Sequence, residues 1–472
     1  MGDKKLFKRT LIGVAFTLGF ATAGTASAVD WLMLQGTEPA AASPAVKVWG
    51  FVQTDYQKDF SSAGPAGVYN APKLLGPNLN SQSGFNISRA RIGVRGTGFP
   101  IDDHINYFLL VELGNNATTA SSTSTGIGTA ALGSTVARMT DASVTLNYLK
   151  GARVRAGLFK YPGAEEGLQG FMLADYIDFS EATNAMLLER FPNALYTTNS
   201  IFLTPAQFQS SGGTLNGFTA PVGAFRDTGI QVFDEFNLGK DWALSYAAMV
   251  GQGSGIQFNN VDGKYDTYLY LSTEKNLGGA GLTANGLKFF VWNQSGQRMA
   301  DVTNDNIADP KFYKRDRSGL GVKYMAKPYR VTAEYITANG MIFEGPDKPS
   351  FYFAAPPNAA NLVNNGATAK ANGWYLDGGW YIPNTKWELD VRYDTLDANT
   401  GLADEHKFNK WTLGTQYHFN PMTKVIVNYE MRDFKCTGPG VVAAGVNTCS
   451  GSANANLSGV GNKLGVQLTA AF

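Results

Sequence analysis

The chain has 472 residues, of which 44% are hydrophobic, 12% aromatic and only 16% charged, with 54 glycines. A formal net charge of +1 gives no polycationic surface, so nucleic acid is excluded as a natural partner. Beyond the N-terminus no apolar run is long enough for a membrane-spanning helix, and the glycine and aromatic content suits many short strands joined by turns.

At the N-terminus, Lys4, Lys5, Lys8 and Arg9 precede a short apolar core from Leu11 to Phe20, and Ala26-Ser27-Ala28 supplies a small-residue cleavage site. Residues 1–28 therefore read as a secretory signal peptide. Losing it removes four basic residues and Asp3, which takes the net charge to about −2. Residues 29–45 read as a periplasmic lead-in. Its apolar cluster, Trp31-Leu32-Met33-Leu34, is either a plug or docking peptide or part of a plain tail.

From residue 46 to 472 the chain alternates with period 2, the signature of strands with one apolar and one polar face. Strands are predicted at Val46–Tyr56, Phe85–Thr97, His104–Leu113, Met139–Leu149 and Arg153–Lys160. The next six are Arg226–Phe236, Trp242–Val250, Tyr265–Lys275, Leu287–Gln294, Ser318–Lys327 and Tyr329–Ala338. The last five are Trp374–Ile382, Lys386–Leu396, Lys410–Phe419, Lys424–Phe434 and Asn462–Phe472. Long Gly/Ser/Thr/Asn-rich loops alternate with short turns carrying breakers such as Lys327-Pro328, Ile382-Pro383-Asn384 and Asn420-Pro421. About 16 strands, an even number with this rhythm, predict an all-β transmembrane antiparallel β-barrel wide enough for an aqueous lumen.

Parity assigns the two faces. Trp387, Leu389, Val391 and Tyr393 place aromatics at both ends of an aliphatic stripe, as at the borders of a bilayer. Glu388, Asp390, Arg392 and Asp394 take the opposite face, which cannot point at lipid and is expected to line water. The final strand puts Leu464, Val466, Leu468, Ala470 and Phe472 on one face and ends on an aromatic, which resembles the C-terminal signature of bacterial outer-membrane proteins. In a closed barrel it must meet the first strand and remove the edge.

Two features exceed what a scaffold needs. Arg89, Arg91 and Arg95 share the inward face of the second strand, opposite Ala90, Ile92 and Val94. They either attract anions or pair with carboxylates such as Glu112 and Asp141. The second feature is the interval from Tyr161 to Phe225, the longest between strands, with short helices predicted at Glu165–Leu173 and Glu181–Phe191. Loops this long are usually functional, and a long third loop folded into the lumen would narrow it. Its charged residues include Glu165, Glu166, Asp175, Asp178, Glu189 and Arg190.

Other chemistry is sparse. His104 and His418 fall on the inward parity and His406 in a loop near Asp404, and no serine motif accompanies them, so an enzyme is not expected. The Asp301–Asp309 loop lacks the glycine and spacing of a calcium loop, leaving no metal site. Without Cys-x-x-Cys-His no covalent haem is attached, and no cofactor is expected. Cys436 and Cys449 share one loop and, in an exported chain, are expected to form a local disulfide.

Ser88-Arg89-Ala90-Arg91-Ile92-Gly93-Val94-Arg95-Gly96 resembles the arginine-rich second strand of the phosphate-selective porin O/P family of bacterial outer-membrane porins. Val154 to Gly163 with Glu165 or Glu166 resembles that family's entry to the third loop, Leu187 to Phe191 its Leu-Glu-Arg element, and Arg226 to Val232 the following strand. The resemblance implies a sixteen-stranded, usually trimeric porin in the outer-membrane lipid. It would pass small anionic or neutral solutes, phosphate or other oxyanions among them, with mild anion preference. It carries pore-lining roles onto Arg89, Arg91, Arg95, Arg155 and Lys160. The loop, however, shows acids and no lysine cluster. A rival reading is a barrel that sheathes a partner such as a cytochrome or lipoprotein, which requires a lumen free of a blocking third loop.

Overall fold

The computed structural model describes residues 31–34, 46–61, 83–98, 102–114, 137–188, 225–256, 260, 263–279, 284–300, 311–342, 368–402, 405–437 and 460–472. Sixteen strands follow one another. They are β1 (Lys47–Asp59), β2 (Ser83–Gly98), β3 (Asp102–Glu112), β4 (Arg138–Leu146), β5 (Arg153–Lys160), β6 (Arg226–Gly239), β7 (Trp242–Gly251) and β8 (Asp266–Gly278). Then come β9 (Asn285–Ala300), β10 (Lys311–Ala326), β11 (Tyr329–Asn339), β12 (Lys370–Tyr381), β13 (Trp387–Ala398), β14 (His406–Asn420), β15 (Thr423–Cys436) and β16 (Lys463–Ala471).

Each strand pairs antiparallel with its sequence neighbours, and β16 returns to β1, closing the barrel. Closure runs through nine residue pairs from Phe51–Ala471 to Asp59–Lys463, and the Phe472 backbone exchanges two hydrogen bonds with Gly50. No strand edge is left to face lipid, which a membrane-spanning sheet requires.

The alternation predicted from sequence is what sets the two faces. On β13, Trp387, Leu389 and Val391 are 46%, 45% and 42% exposed, whereas Glu388, Asp390 and Arg392 are 0%, 5% and 1% exposed. The expectation that this charged face lines water is corrected: its side chains are packed and ion-paired rather than solvated. Several boundaries also differ from sequence, most of all in three strands: β10 starts at Lys311 rather than Ser318, β9 ends at Ala300 rather than Gln294, and β14 starts at His406 rather than Lys410. His406 is therefore no loop residue but a buried strand end stacked edge-on against Phe408. His104 keeps its inward parity yet sits exposed on the rim, stacked on Tyr148 and hydrogen-bonded to Asp102 at 3.0 Å.

Three helical turns lie outside the strands: α1 (Trp31–Leu34), α2 (Glu165–Leu168) and α3 (Glu181–Leu187), with a 3-10 turn at Phe171–Leu173. The helix expected at Glu165–Leu173 is split, because Gln169 leaves helical geometry at φ −56°, ψ 140°. α3 is capped by Ser180, whose side chain accepts from the Thr183 N–H. Within the lead-in, Leu32 is buried in the same cluster as Phe159, Leu168 and Met186, and α1 packs on α2. Residues 1–28, the Asp301–Asp309 loop, Asp404, Glu189, Arg190 and Cys449 lie outside the described residues, so the expected disulfide does too.

Candidate functional site: two walls and the long loop between them

The basic wall is built on β2 and β5. The inward parity of β2 buries Arg89, Arg91 and Arg95 to 3–6% exposure, while Ile92 on the other face is 46% exposed. Arg91 Nε donates to Glu112 Oε2 at 2.6 Å. Glu112 Oε1 in turn accepts the Ala90 and Gly114 backbone N–H groups, both at 2.8 Å. Arg89 donates to Gln53 Oε1 at 2.8 Å. Of the two carboxylates offered as alternative partners of the β2 arginines, Glu112 is paired with Arg91, whereas Asp141 binds Arg226 of β6 at 2.9 Å.

On β5, Arg155 donates to Thr145 Oγ1 at 3.2 Å and lies over the Phe233 ring. Lys160 is of opposite parity, yet it too is buried. Between them Gly157 has φ +126°, a conformation glycine alone adopts without strain. Lys160 Nζ donates to the carbonyls of Gln169 at 2.7 Å and Leu168 at 3.3 Å. Arg89, Arg91, Lys160 and Arg226 lie within electrostatic reach of one another as one buried basic group, with Arg155 buried on the same strand as Lys160 and Arg95 over the Trp49 ring.

The loop's acids point elsewhere. Glu165 meets Lys288 of β9 and Lys323 of β10, both at 2.9 Å. Burial alone would raise the Glu165 carboxyl, but the two lysines outweigh it and hold it down to about 2. Glu166 pairs with Arg392 of β13 at 3.3 Å and accepts the Ser180 hydroxyl at 2.6 Å. Asp175 meets Arg330 of β11 at 3.2 Å. Asp178 pairs with Lys463 of β16, and Glu181 with Lys410 of β14 at 3.0 Å.

Backbone contacts add to these ties. Arg392 also donates to the Asp178 and Phe179 carbonyls, Lys424 to the Ala174 carbonyl at 2.6 Å, and Arg317 to the Met186 carbonyl at 2.6 Å. Asn428 accepts the Ile177 N–H at 2.9 Å. Arg330 is itself ringed by Asp377, Glu388 and Asp390 at 2.6–2.8 Å. The acidic stripe of β13 is therefore neutralised by strand cations, two of which, Arg330 and Arg392, also meet acids of the loop.

Sequence reasoning missed Lys288, Lys323, Arg330, Lys410 and Lys463. Each stands on the inward parity of its strand, a signal present in the alternation but carried by single residues far apart in the chain.

The family model for phosphate-selective porin O and P matches residues 71–438, most of the chain. The chain belongs to this family. It is an outer-membrane porin, a channel for solute diffusion. Among solved structures it is similar to the outer-membrane channel DcaP of Acinetobacter baumannii, at 14% identity over 93% of this chain and 100% of that one, TM-score 0.48. It is also similar to OmpT of Vibrio cholerae (12% identity, 91% and 99% covered, TM-score 0.46) and to Salmonella typhi OmpF in complex with daunomycin (12%, 90% and 97%, 0.46). A comparison with curated protein sequences finds no match.

Proposed function

We propose that this porin carries a mild preference for small anions. In this reading the basic group of β2 and β5 attracts them, and the segment around residues 161–188 folds across the lumen as its constriction. The observation that carries this reading is the segregation of charge. Among the described residues, the loop's carboxylates are ion-paired with cations of β9, β10, β11, β13, β14 and β16 rather than with Arg89 or Arg91. The carboxylates ion-paired with the basic group are Glu112 and Asp141. Permanent guanidinium charge beside a narrow aqueous path concentrates counter-anions.

Because Glu112 and several backbone carbonyls already engage these cations, the preference is for diffusing anionic or neutral solutes over cations, with no tight phosphate site. The many ties between loop and strands weigh against an open sheath around a cytochrome or lipoprotein. A homotrimer in outer-membrane lipid follows from the family resemblance.

The test is the reversal potential of purified channels in a KCl gradient across a planar bilayer. Wild type is expected to favour chloride. Arg89→Gln, Arg91→Gln and Arg95→Gln together are expected to shift the potential toward potassium. A wild-type preference for potassium would sink the anion reading.

A further inference from the structure

The basic wall does not face the lumen bare. Phe171, in the 3-10 turn of the long loop, is 3% exposed and has three cations around its ring. Arg89 Cζ lies 4.2 Å, Lys160 Nζ 4.8 Å and Arg91 Cζ 4.9 Å from the ring centroid. The ring is held in place from below and from the side. Gln53, which accepts from Arg89, donates through Nε2 to the Phe171 carbonyl at 3.0 Å, and Phe179 packs against the ring at 5.4 Å.

We infer that Phe171 is a specificity-determining residue of this pore, setting the strength of its anion preference by covering Arg89, Arg91 and Lys160. This rests on reading the β2 and β5 cations as the anion-attracting wall. Two physical effects act together. The negative face of the ring quadrupole satisfies part of the cations' charge, and the ring's bulk keeps a passing anion from reaching them. Arg89 Nε and Arg91 Nη2 are buried and have no hydrogen-bond acceptor among the described residues. Such N–H groups beside a ring are the donors that would grip an oxyanion in a forked arrangement if the ring were gone. With the ring present, the same arginines act at a distance, as a field. Phe171 therefore separates a diffusive channel from one that binds oxyanions such as inorganic phosphate.

The experiment compares Phe171→Ala and Phe171→Leu with wild type, in full-length protein reconstituted in planar bilayers, reading reversal potential in KCl and block of chloride current by inorganic phosphate. Heat-modifiable migration on a gel reports that each barrel is folded. Phe171→Ala is expected to raise the chloride-to-potassium permeability ratio by about twofold and to let phosphate block at lower concentration. Phe171→Leu keeps bulk against Phe179 but lacks the ring face, and is expected to move the ratio in the same direction by less. Folded variants with wild-type selectivity and no phosphate block would overturn the inference, and so would a shift toward potassium. If those variants are silent while the triple arginine variant shifts, Phe171 is only packing and the basic wall stands. If the triple variant is silent as well, the wall reading fails with it.

Discussion

The two halves of the barrel wall use charge in opposite ways. On the β9–β16 side, Lys288, Lys323, Arg330, Arg392, Lys410 and Lys463 each meet a carboxylate from the long loop, so inward charge is spent on anchoring. On the β2–β5 side, the cations meet mostly neutral partners: the Gln53 amide, the carbonyls of Leu168 and Gln169, and the ring of Phe171. Pairing cancels the field of the first group, whereas in the second Arg91 is offset by Glu112 while Arg89 and Lys160 hydrogen-bond to neutral groups. In the proposed reading the same residue types act as fasteners on one wall and as a selectivity element on the other, and the partner decides which.

The comparison breaks most visibly at Arg392, which holds Glu166, Asp394 and two loop carbonyls while 1% exposed. Arg392→Met leaves buried carboxylates without their cation. It is expected to cost about 3–5 kcal/mol, read as a lower unfolding midpoint in detergent, with noisier single-channel current as the loop loosens. An unchanged midpoint with quiet current would show that the loop is held by other means.

The outer face of the same strand gives the next effect. Leu389→Lys, in the middle of the exposed stripe, is expected to destabilise the barrel in lipid by about 2–4 kcal/mol, whereas a lysine at an exposed turn position such as Pro421 should cost little. Equal costs at the two positions would contradict the assignment of faces.

A smaller effect comes from pH. Glu165 is depressed from 4.5 to about 2, so its contribution is complete above pH 4.5 and is lost as pH falls through about 2. The share of the loop's hold that Glu165 supplies is expected to stay intact from pH 9 to about 5 and to weaken only below that range. Glu165→Gln should remove this acid-limb change. Acid sensitivity that begins near neutral pH and survives in Glu165→Gln would point to another group.

Much of this was legible in the sequence because strand alternation is a local signal. Period 2 located all sixteen strands, and the bilayer penalty assigned Trp387 and Glu388 to opposite faces without any knowledge of neighbours. The order of the arginine-rich stretch, the long loop and the strand after it pointed to the family. Partners were not legible. Glu165 and Lys288 are 123 residues apart, and Asp178 and Lys463 are 285 apart, and no local pattern joins partners that distant. The acids of the loop consequently read only as a departure from the family's lysine pattern, whereas Glu165, Glu166, Asp175 and Asp178 are each paired with a strand cation. Lys160 shows a second limit. Alternation assigns it to the face opposite Arg155, but the positive φ of Gly157 and the start of the loop bury both side chains.

The most direct measurement sets the two walls side by side through reversal potentials of two variants in the same KCl gradient. Arg89→Gln/Arg91→Gln/Arg95→Gln removes charge from the basic wall. Lys410→Met/Glu181→Gln removes one anchoring pair from the other wall and leaves net charge unchanged. The first is expected to move the potential toward potassium and the second to leave it at the wild-type value. A shift of equal size in both, or one confined to the anchoring pair, would contradict the division of the lumen into a selective wall and an anchoring one.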